Sequence, residues 1–332
     1  MAKGGKIYQN KKLIAGIGSA LVDILLLEDE AFLESTGAKK GGMTLVEDNA
    51  VIDRMLSQTE APPSIVPGGS ACNTIIGIGR LGGQARFIGK RGNDKMGTIF
   101  ESSLKNSHVE PVLFTSHSPT GRVLSIITPD AQRSMFTFLG ASSETRNEEI
   151  EDKYFTDAAI VHIEGYLLFN ESLLLAALKT AKASKALISL DLASYTVVEA
   201  SKGILDDIVN DYVDIVIANE DEARVFTGLS DENKALESLA KKASIAVLKI
   251  GKRGSLIASN GAITNVSRMG SGAAVDTTGA GDLWAAGFLF GLVNGMPIDR
   301  CGKLASACGY EVCQVIGASI PDDGWQRIKK II

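Results

Sequence analysis

The sequence predicts an α/β protein: a mainly parallel sheet flanked by helices, with a smaller β-sheet beside it. Three observations carry this. From about residue 155 onward, apolar runs at 159–163, 186–190, 215–218 and 245–250 alternate with helical patterns at 172–183, 198–209, 220–226 and 231–241. Strand–helix alternation of this kind builds a parallel sheet covered on both faces. Two β-rich runs, 120–128 and 133–139, flank Pro129-Asp130 and read as an antiparallel hairpin outside that alternation. Finally, 332 residues with 45% hydrophobic and 22% charged content have ample capacity for a large soluble core.

The elements follow in order. Residues 13–18 form a short apolar run that reads as a buried strand. Residues 21–27 continue as strand, so Gly16 and Gly18 do not open the helix that a dinucleotide fingerprint requires. Pro67-Gly68-Gly69-Ser70-Ala71-Cys72-Asn73 leads into a helix through about Leu81. Gly77, Gly79 and Gly82 match G-x-G-x-x-G in form, but they end a helix and precede a strand at 85–89, the wrong order for that motif. Helical spacing returns at 98–106, then at 280–294 and 297–315, with a short amphipathic tail at 325–332.

Composition excludes several classes. A formal net charge of −5, with Lys39-Lys40 and Lys329-Lys330 as mere pairs, argues against nucleic-acid binding. No apolar run approaches the ~20 residues of a membrane span, and residues 1–6 lack an apolar signal core. Four cysteines make no disulfide framework in a chain this long, and three scattered histidines make no zinc-type cluster. The expectation is a reduced, cytoplasmic setting.

The chemistry centres on Asp276-Thr277-Thr278-Gly279-Ala280-Gly281-Asp282, a glycine-broken polar loop running into an apolar helix. First-turn N–H groups of a helix lack intrahelical partners, and small residues let a phosphoryl oxygen approach them. Gly279, Ala280 and Gly281 therefore suit an anion hole, and Asp282 stands beside it as a proton acceptor. Local physics alone leaves open that Asp276 or Asp282 simply caps the helix. Asp23 is a carboxylate inside an apolar strand, suited to two vicinal hydroxyls or to partial exposure. Asn73 can donate to and accept from a hydroxyl. Asn219-Glu220-Asp221-Glu222 reads locally as an acidic helix start. No Walker A loop is present, since Gly251-Lys252-Arg253-Gly254-Ser255 lacks its spacing.

The heptapeptide ending in Asp282 resembles the C-terminal signature of the ribokinase-like (PfkB) sugar and nucleoside kinases, and residues 67–73 resemble their N-terminal signature. Residues 16–23, Asn219 through Glu222 and Lys249 through Ser255 resemble further family motifs in the expected order. The resemblance implies one ribokinase-like domain over 1–332, a Rossmann-type core whose β-sheet lid comes from segments near 20–46 and 111–141. It implies transfer of the γ-phosphoryl of ATP to a primary hydroxyl, with Asp282 as base and Gly279–Gly281 as anion hole. Asp23, Gly68, Gly69 and Asn73 would position the acceptor. Asn219, Lys249, Gly251, Gly254 and Thr277 would serve ATP, and Glu222 would organise Mg²⁺ through water. Asp276, with residues 317–319, resembles a monovalent-cation (K⁺) loop.

Residues 133–141 look most like adenosine kinases, so a nucleoside is the first expected acceptor, although adenosine kinases usually carry Asn where this chain has Ser19. A sugar such as ribose, fructose or a keto-deoxy sugar acid is the alternative, and a non-catalytic ligand-binding regulator is the alternative of another class. The chain is expected to be a monomer or a homodimer.

Overall fold

A computed structural model describes residues 11–38, 40–130 and 132–332. Residues 1–6 and Lys39, used above to argue against a signal segment and a basic patch, lie outside them. In chain order the strands are β1 (Leu13–Ile17), β2 (Leu21–Leu27), β3 (Met43–Leu45), β4 (Ser64–Gly68), β5 (Ala85–Gly92), β6 (Val109–Ser116) and β7 (Gly121–Ile127). They continue with β8 (Arg133–Phe138), β9 (Ala158–Glu164), β10 (Leu187–Asp191), β11 (Ile215–Asn219), β12 (Ile245–Lys249), β13 (Ser255–Ser259) and β14 (Ala262–Val266).

Nine of these strands make the large sheet, in the order β14-β13-β12-β11-β10-β9-β1-β5-β6. It is parallel from β12 through β6 and closes with the antiparallel β13 and β14. Both faces are dry. Ile14, Ile160, Ile215 and Val247 pack on one side with residues of the helices Ser70–Arg80 and Ala280–Val293. Ala15, Val161, Ile163 and Val216 pack on the other with the helix Glu171–Ala183. Burial on both faces explains why these strands read as continuous apolar runs rather than alternating ones.

β1 lies between β5 and β9, and the chain runs outward from it in both directions. That makes β1/β9 a topological switch point, where open α/β sheets leave a crevice beyond the strand ends. The short link at residues 18–20 then carries the chain from β1 into β2 and the second sheet.

That five-stranded sheet has the order β3-β8-β7-β2-β4. The expected hairpin is present as antiparallel β7 and β8, with Ile127 opposite Arg133. Its turn is held by Asp130, which accepts from Thr128 Oγ1 (2.7 Å). One face of the sheet, including Ile24, Leu26, Leu124, Ile126 and Phe136, is covered by Leu33, Ile52 and Met55 of the helices Glu30–Ser35 and Asn49–Ser57.

The segments read as lid, 20–46 and 111–141, supply four of its five strands, and β4 supplies the fifth. Residues 109–116 instead extend the large sheet as β6, pairing with β5 over its whole length. The helical pattern at 198–209 is two helices, Tyr195–Ala200 and Lys202–Tyr212, with Ser201 between them. Among the described residues no helix is long and apolar enough to cross a membrane. All four cysteines are free, as expected for a chain without a disulfide framework.

Candidate active site

The helix Ala280–Val293 begins at the expected loop. Its N-cap is Gly279, with φ +70° and no side-chain cap. That left-handed conformation favours glycine, and a Cβ there would come within 2.6 Å of the Ala318 Cβ. The first-turn N–H groups are thus left without a capping side chain, the arrangement that accepts an anion.

Asp282 lies in that first turn, partly open to the crevice and otherwise enclosed by protein. Its Oδ1 accepts from Ser70 Oγ (2.7 Å) and its Oδ2 from Asn73 Nδ2 (2.9 Å). Thr74 Oγ1 donates to its carbonyl oxygen (3.1 Å). Burial pushes the Asp282 carboxyl up to about 6, against the pull of the Asn73 and Ser70 hydrogen bonds. A helix cap would bond its own helix's N–H groups. Asp282 instead bonds the Ser70–Arg80 helix across the crevice, so the capping alternative does not describe it.

Asp23 is buried on β2, opposite Val66 and two residue pairs from Gly68 on β4. Any Cβ at Gly68 would overlap the Asp23 carboxylate, so glycine there is what gives that side chain its place. Burial raises the Asp23 carboxyl to about 7, with Arg133 of β8 opposing and Asp282 and Asp276 reinforcing. Asp23 and Asp282, far apart in sequence, therefore face one crevice. Gly69 caps the Ser70–Arg80 helix from the β4 side.

Asp276 does not cap the helix either. Its Oδ1 accepts from the Thr278 N–H (2.9 Å) and hydroxyl (2.7 Å), and its Oδ2 from the Gly317 N–H (2.8 Å). Burial alone would raise this carboxyl, but those donors hold it below its ordinary value. The expected approach of Asp276 to residues 317–319 is therefore present as a direct hydrogen bond. Residues 274–279, Gly41, Gln132 and Arg133 line a cavity of about 520 Å³ between this loop and the small sheet.

The expected ATP-side residues sit at the ends of β11 and β12. Asn219 and Glu222 form a capping box at the helix Glu220–Thr227, with Asn219 Nδ2 donating to Glu222 Oε1 (2.6 Å). Their polar groups are turned to each other, and burial raises the Glu222 carboxyl to about 7. Lys249 Nζ donates to Asp191 Oδ2 (2.8 Å) and stands 3.0 Å from where a Gly281 Cβ would be. The ammonium therefore abuts the glycine turn. Gly251 and Gly254 bracket a single 3₁₀ turn, and Arg253 there is paired with Glu220 and Glu232. Thr277 lines the cavity.

Three participants escaped the sequence reading. Asp191 ends β10 as the partner of Lys249, and Ser70 holds Asp282. Glu164 ends β9, fully buried, where it accepts from the N–H groups of Ser19 (2.8 Å) and Ala71 (2.9 Å). The signal for Asp191 and Glu164 was a carboxylate at the C-terminal end of an apolar run, where parallel sheets put their ligands.

Residues 33–324 match the model of the pfkB family of carbohydrate kinases. The chain belongs to that family. Among solved structures, this kinase resembles an adenosine kinase from Sinorhizobium meliloti (31% identity, TM-score 0.88, covering 97% of this chain and 100% of that one). A probable sugar kinase from Rhizobium etli is similar to the same degree (30% identity, TM-score 0.88, 97% and 99% covered). Among curated relatives it is 28% identical to a 5-dehydro-2-deoxygluconokinase of Geobacillus thermodenitrificans, over 72% of this chain and 76% of the relative. It is 28% identical to probable fructokinase-5 of Arabidopsis thaliana, over 94% of each. The fold is the ribokinase-like α/β fold, and the activity is that of a phosphotransferase with an alcohol acceptor.

Proposed function

We propose that this pfkB-family kinase moves the γ-phosphoryl of ATP to the primary hydroxyl of a nucleoside, the 5′-OH of an adenosine-like acceptor. The observation that carries the chemistry is Asp282, held by Ser70 and Asn73 beside an uncapped, glycine-opened helix N-terminus. The acceptor hydroxyl gives its proton to the Asp282 carboxylate while its oxygen bonds to the γ-phosphorus. The bond from that phosphorus to the β–γ bridging oxygen breaks, and its electron pair leaves with ADP. Gly279, Ala280 and Gly281 offer backbone N–H groups to charge on the migrating group. Asp23, which Gly68 leaves room for, takes the acceptor's hydroxyls, with Gly69 and Asn73 helping to position the acceptor.

On the nucleotide side we assign Asn219, Lys249, Gly251, Gly254 and Thr277. For a Mg²⁺ delivered with the nucleotide we assign Glu222, which would hold it through water because Mg²⁺ keeps much of its hydration shell and needs few protein ligands, although both its oxygens now accept from Asn219. Such an ion would neutralise phosphate charge. Asp276 and residues 317–319 are the place proposed for a monovalent cation. The small sheet would close over the acceptor as a lid and keep water from the phosphoryl group.

Two observations favour a nucleoside. Tyr166, 42% exposed and two residues after Glu164, lies close enough to Asp282 and Glu164 for their charges to act on it and offers an aromatic face there, and the Sinorhizobium meliloti structure is named an adenosine kinase. A sugar is the second reading. The Arg133 guanidinium, acting on both Asp23 and Asp276, suits an acidic sugar, and the curated relatives are named for sugar substrates. A coupled ADP-release assay with ATP, Mg²⁺ and a panel of adenosine, other nucleosides, ribose, fructose and a keto-deoxy sugar acid decides between them. Turnover on sugars alone would overturn the nucleoside reading and leave the roles of Asp282 and the glycine turn intact.

The base assignment predicts the pH dependence. Asp282 works only as the carboxylate, and its pKa is raised to about 6. Activity is therefore full above that value and falls as pH drops through it. A kcat/KM profile flat down to pH 4 would exclude Asp282 as the base.

We further propose that the chain is a monomer or a homodimer. Helices cover one face of the small sheet, while Leu27, Met43, Leu45 and Ile65 of its strands stay exposed, apolar surface that a second copy could cover. Sedimentation at a mass above the dimer's would contradict both.

A further inference from the structure

Glu164 is a fully buried ionisable group that the proposed chemistry leaves without a part. It sits at the end of β9, at the switch point, and each of its oxygens accepts from the backbone of a different wall of the acceptor site. Oε1 takes the N–H of Ser19, in the link between β1 and β2 (2.8 Å). Oε2 takes the N–H of Ala71, in the first turn of the Ser70–Arg80 helix (2.9 Å). That helix starts at Gly69, which has no capping side chain, so Glu164 serves as its cap from another strand. A Cβ at Gly18 would overlap the Glu164 carboxylate, so the chain passes it with no side chain intervening.

The two walls carry the working groups. Four residues beyond Ser19 is Asp23. Flanking Ala71 are Ser70 and, two residues on, Asn73, the two donors to Asp282. We infer that Glu164 is a positioning residue that sets the acceptor-gripping carboxylate and the base in register by tying both backbones to one side chain. Its ionised form is the one two N–H donors favour, although burial works against them and raises its pKa on balance. The same negative charge acts on Asp282. Asp282 is also faced by Asp23 from β2, Cys72 from its partner helix, Tyr166 after β9, Asp191 from β10 and Lys249 from β12.

The inference rests on the reading of Asp282 as base, and two variants test it. In Glu164→Gln the amide keeps one acceptor oxygen but sets an NH₂ group against the other backbone N–H. A misplacement of about 1 Å costs roughly 100-fold, so kcat/KM for adenosine, or for fructose if only sugars are turned over, falls by about that factor while the KM for ATP is unchanged. With a neighbouring negative charge gone, the acid limb moves to lower pH. Glu164→Asp keeps the charge but is one methylene shorter, so it raises the acceptor KM and leaves the acid limb in place. That split between the variants is what a merely structural role would not produce. Wild-type acceptor KM and acid limb in Glu164→Gln overturn the inference. So does an equal loss of melting temperature and activity in both variants without a moved limb. No ATP-dependent turnover by the unmutated chain on any acceptor overturns the base reading itself, and the inference with it.

Discussion

Asp282→Asn is expected to lower kcat by about 10²–10⁴-fold, the usual contribution of a positioned general base, with little change in the KM of either substrate. The substitution preserves volume and one hydrogen-bond acceptor. What it removes is basicity, at a side chain whose two oxygens are already fixed by Ser70 and Asn73. The fold should not suffer. Asp282 has its carboxyl pKa raised in the folded chain by burial, so at neutral pH its charge opposes folding rather than favouring it. A neutral Asn lifts that opposition while losing part of one hydrogen bond. The expected melting temperature is therefore equal to or above that of the unmutated chain, a pattern common where function holds a group in an unfavourable setting. Steady-state kinetics and a thermal melt on one preparation check both halves. Undiminished kcat would exclude the proposed base.

The largest expected loss of stability is at Phe288, in the middle of the helix that begins with the glycine turn. It is completely buried and stacks on Trp284 with ring centroids 5.1 Å apart. Phe288→Ala should cost about 3–5 kcal/mol, the transfer term plus the cavity that the neighbours cannot close. Every residue from Leu283 to Val293 in this helix is buried, so little of the surroundings is free to collapse inward. A chemical-denaturation midpoint close to that of the unmutated chain would contradict this. Because the same helix presents Asp282, the variant's remaining folded fraction should also turn over more slowly.

Much of the core could be read in advance for a simple physical reason. A strand buried on both faces must be mainly apolar, and β9 through β12 are, apart from His162, Ser189 and the polar residue that ends each strand, so each stood out between its helices. The loop ending in Asp282 was legible as a glycine-broken helix start, but local physics left a plain cap open, and only the resemblance of residues 276–282 to a family signature singled out Asp282 as the proposed base. Other features were not legible. β6 looks like lid sequence because its residues are only partly buried at the sheet edge, and edge strands lose the continuous apolar signature. β4 contains a proline and a glycine, both poor strand signals, and is stabilised by pairing with β2. Glu164 and Asp191 were missed because a single carboxylate after an apolar run could equally begin a surface loop. Only the pairing of β9 with both β1 and β10 turns Glu164 inward. The capping box of Asn219 and Glu222 shows the converse: a local reading and a family reading can describe the same two side chains.

The position of β1 has a consequence for how the protein is made. Of the described strands, β1 leaves the ribosome first and ends up inside the sheet with a neighbour on each side, and its partner β9 is synthesised nearly half a chain later. Until then β1 has only β5 on one side. Contacts of such long sequence separation close slowly, so the chain spends part of its synthesis with an unpaired apolar edge open to other strands. The crevice between β1 and β9 cannot begin to form before β9 is made, and the helix that brings Asp282 to it comes more than a hundred residues later. Conditions that hurry translation or crowd nascent chains should therefore lower the yield of active enzyme more than they lower its stability once folded.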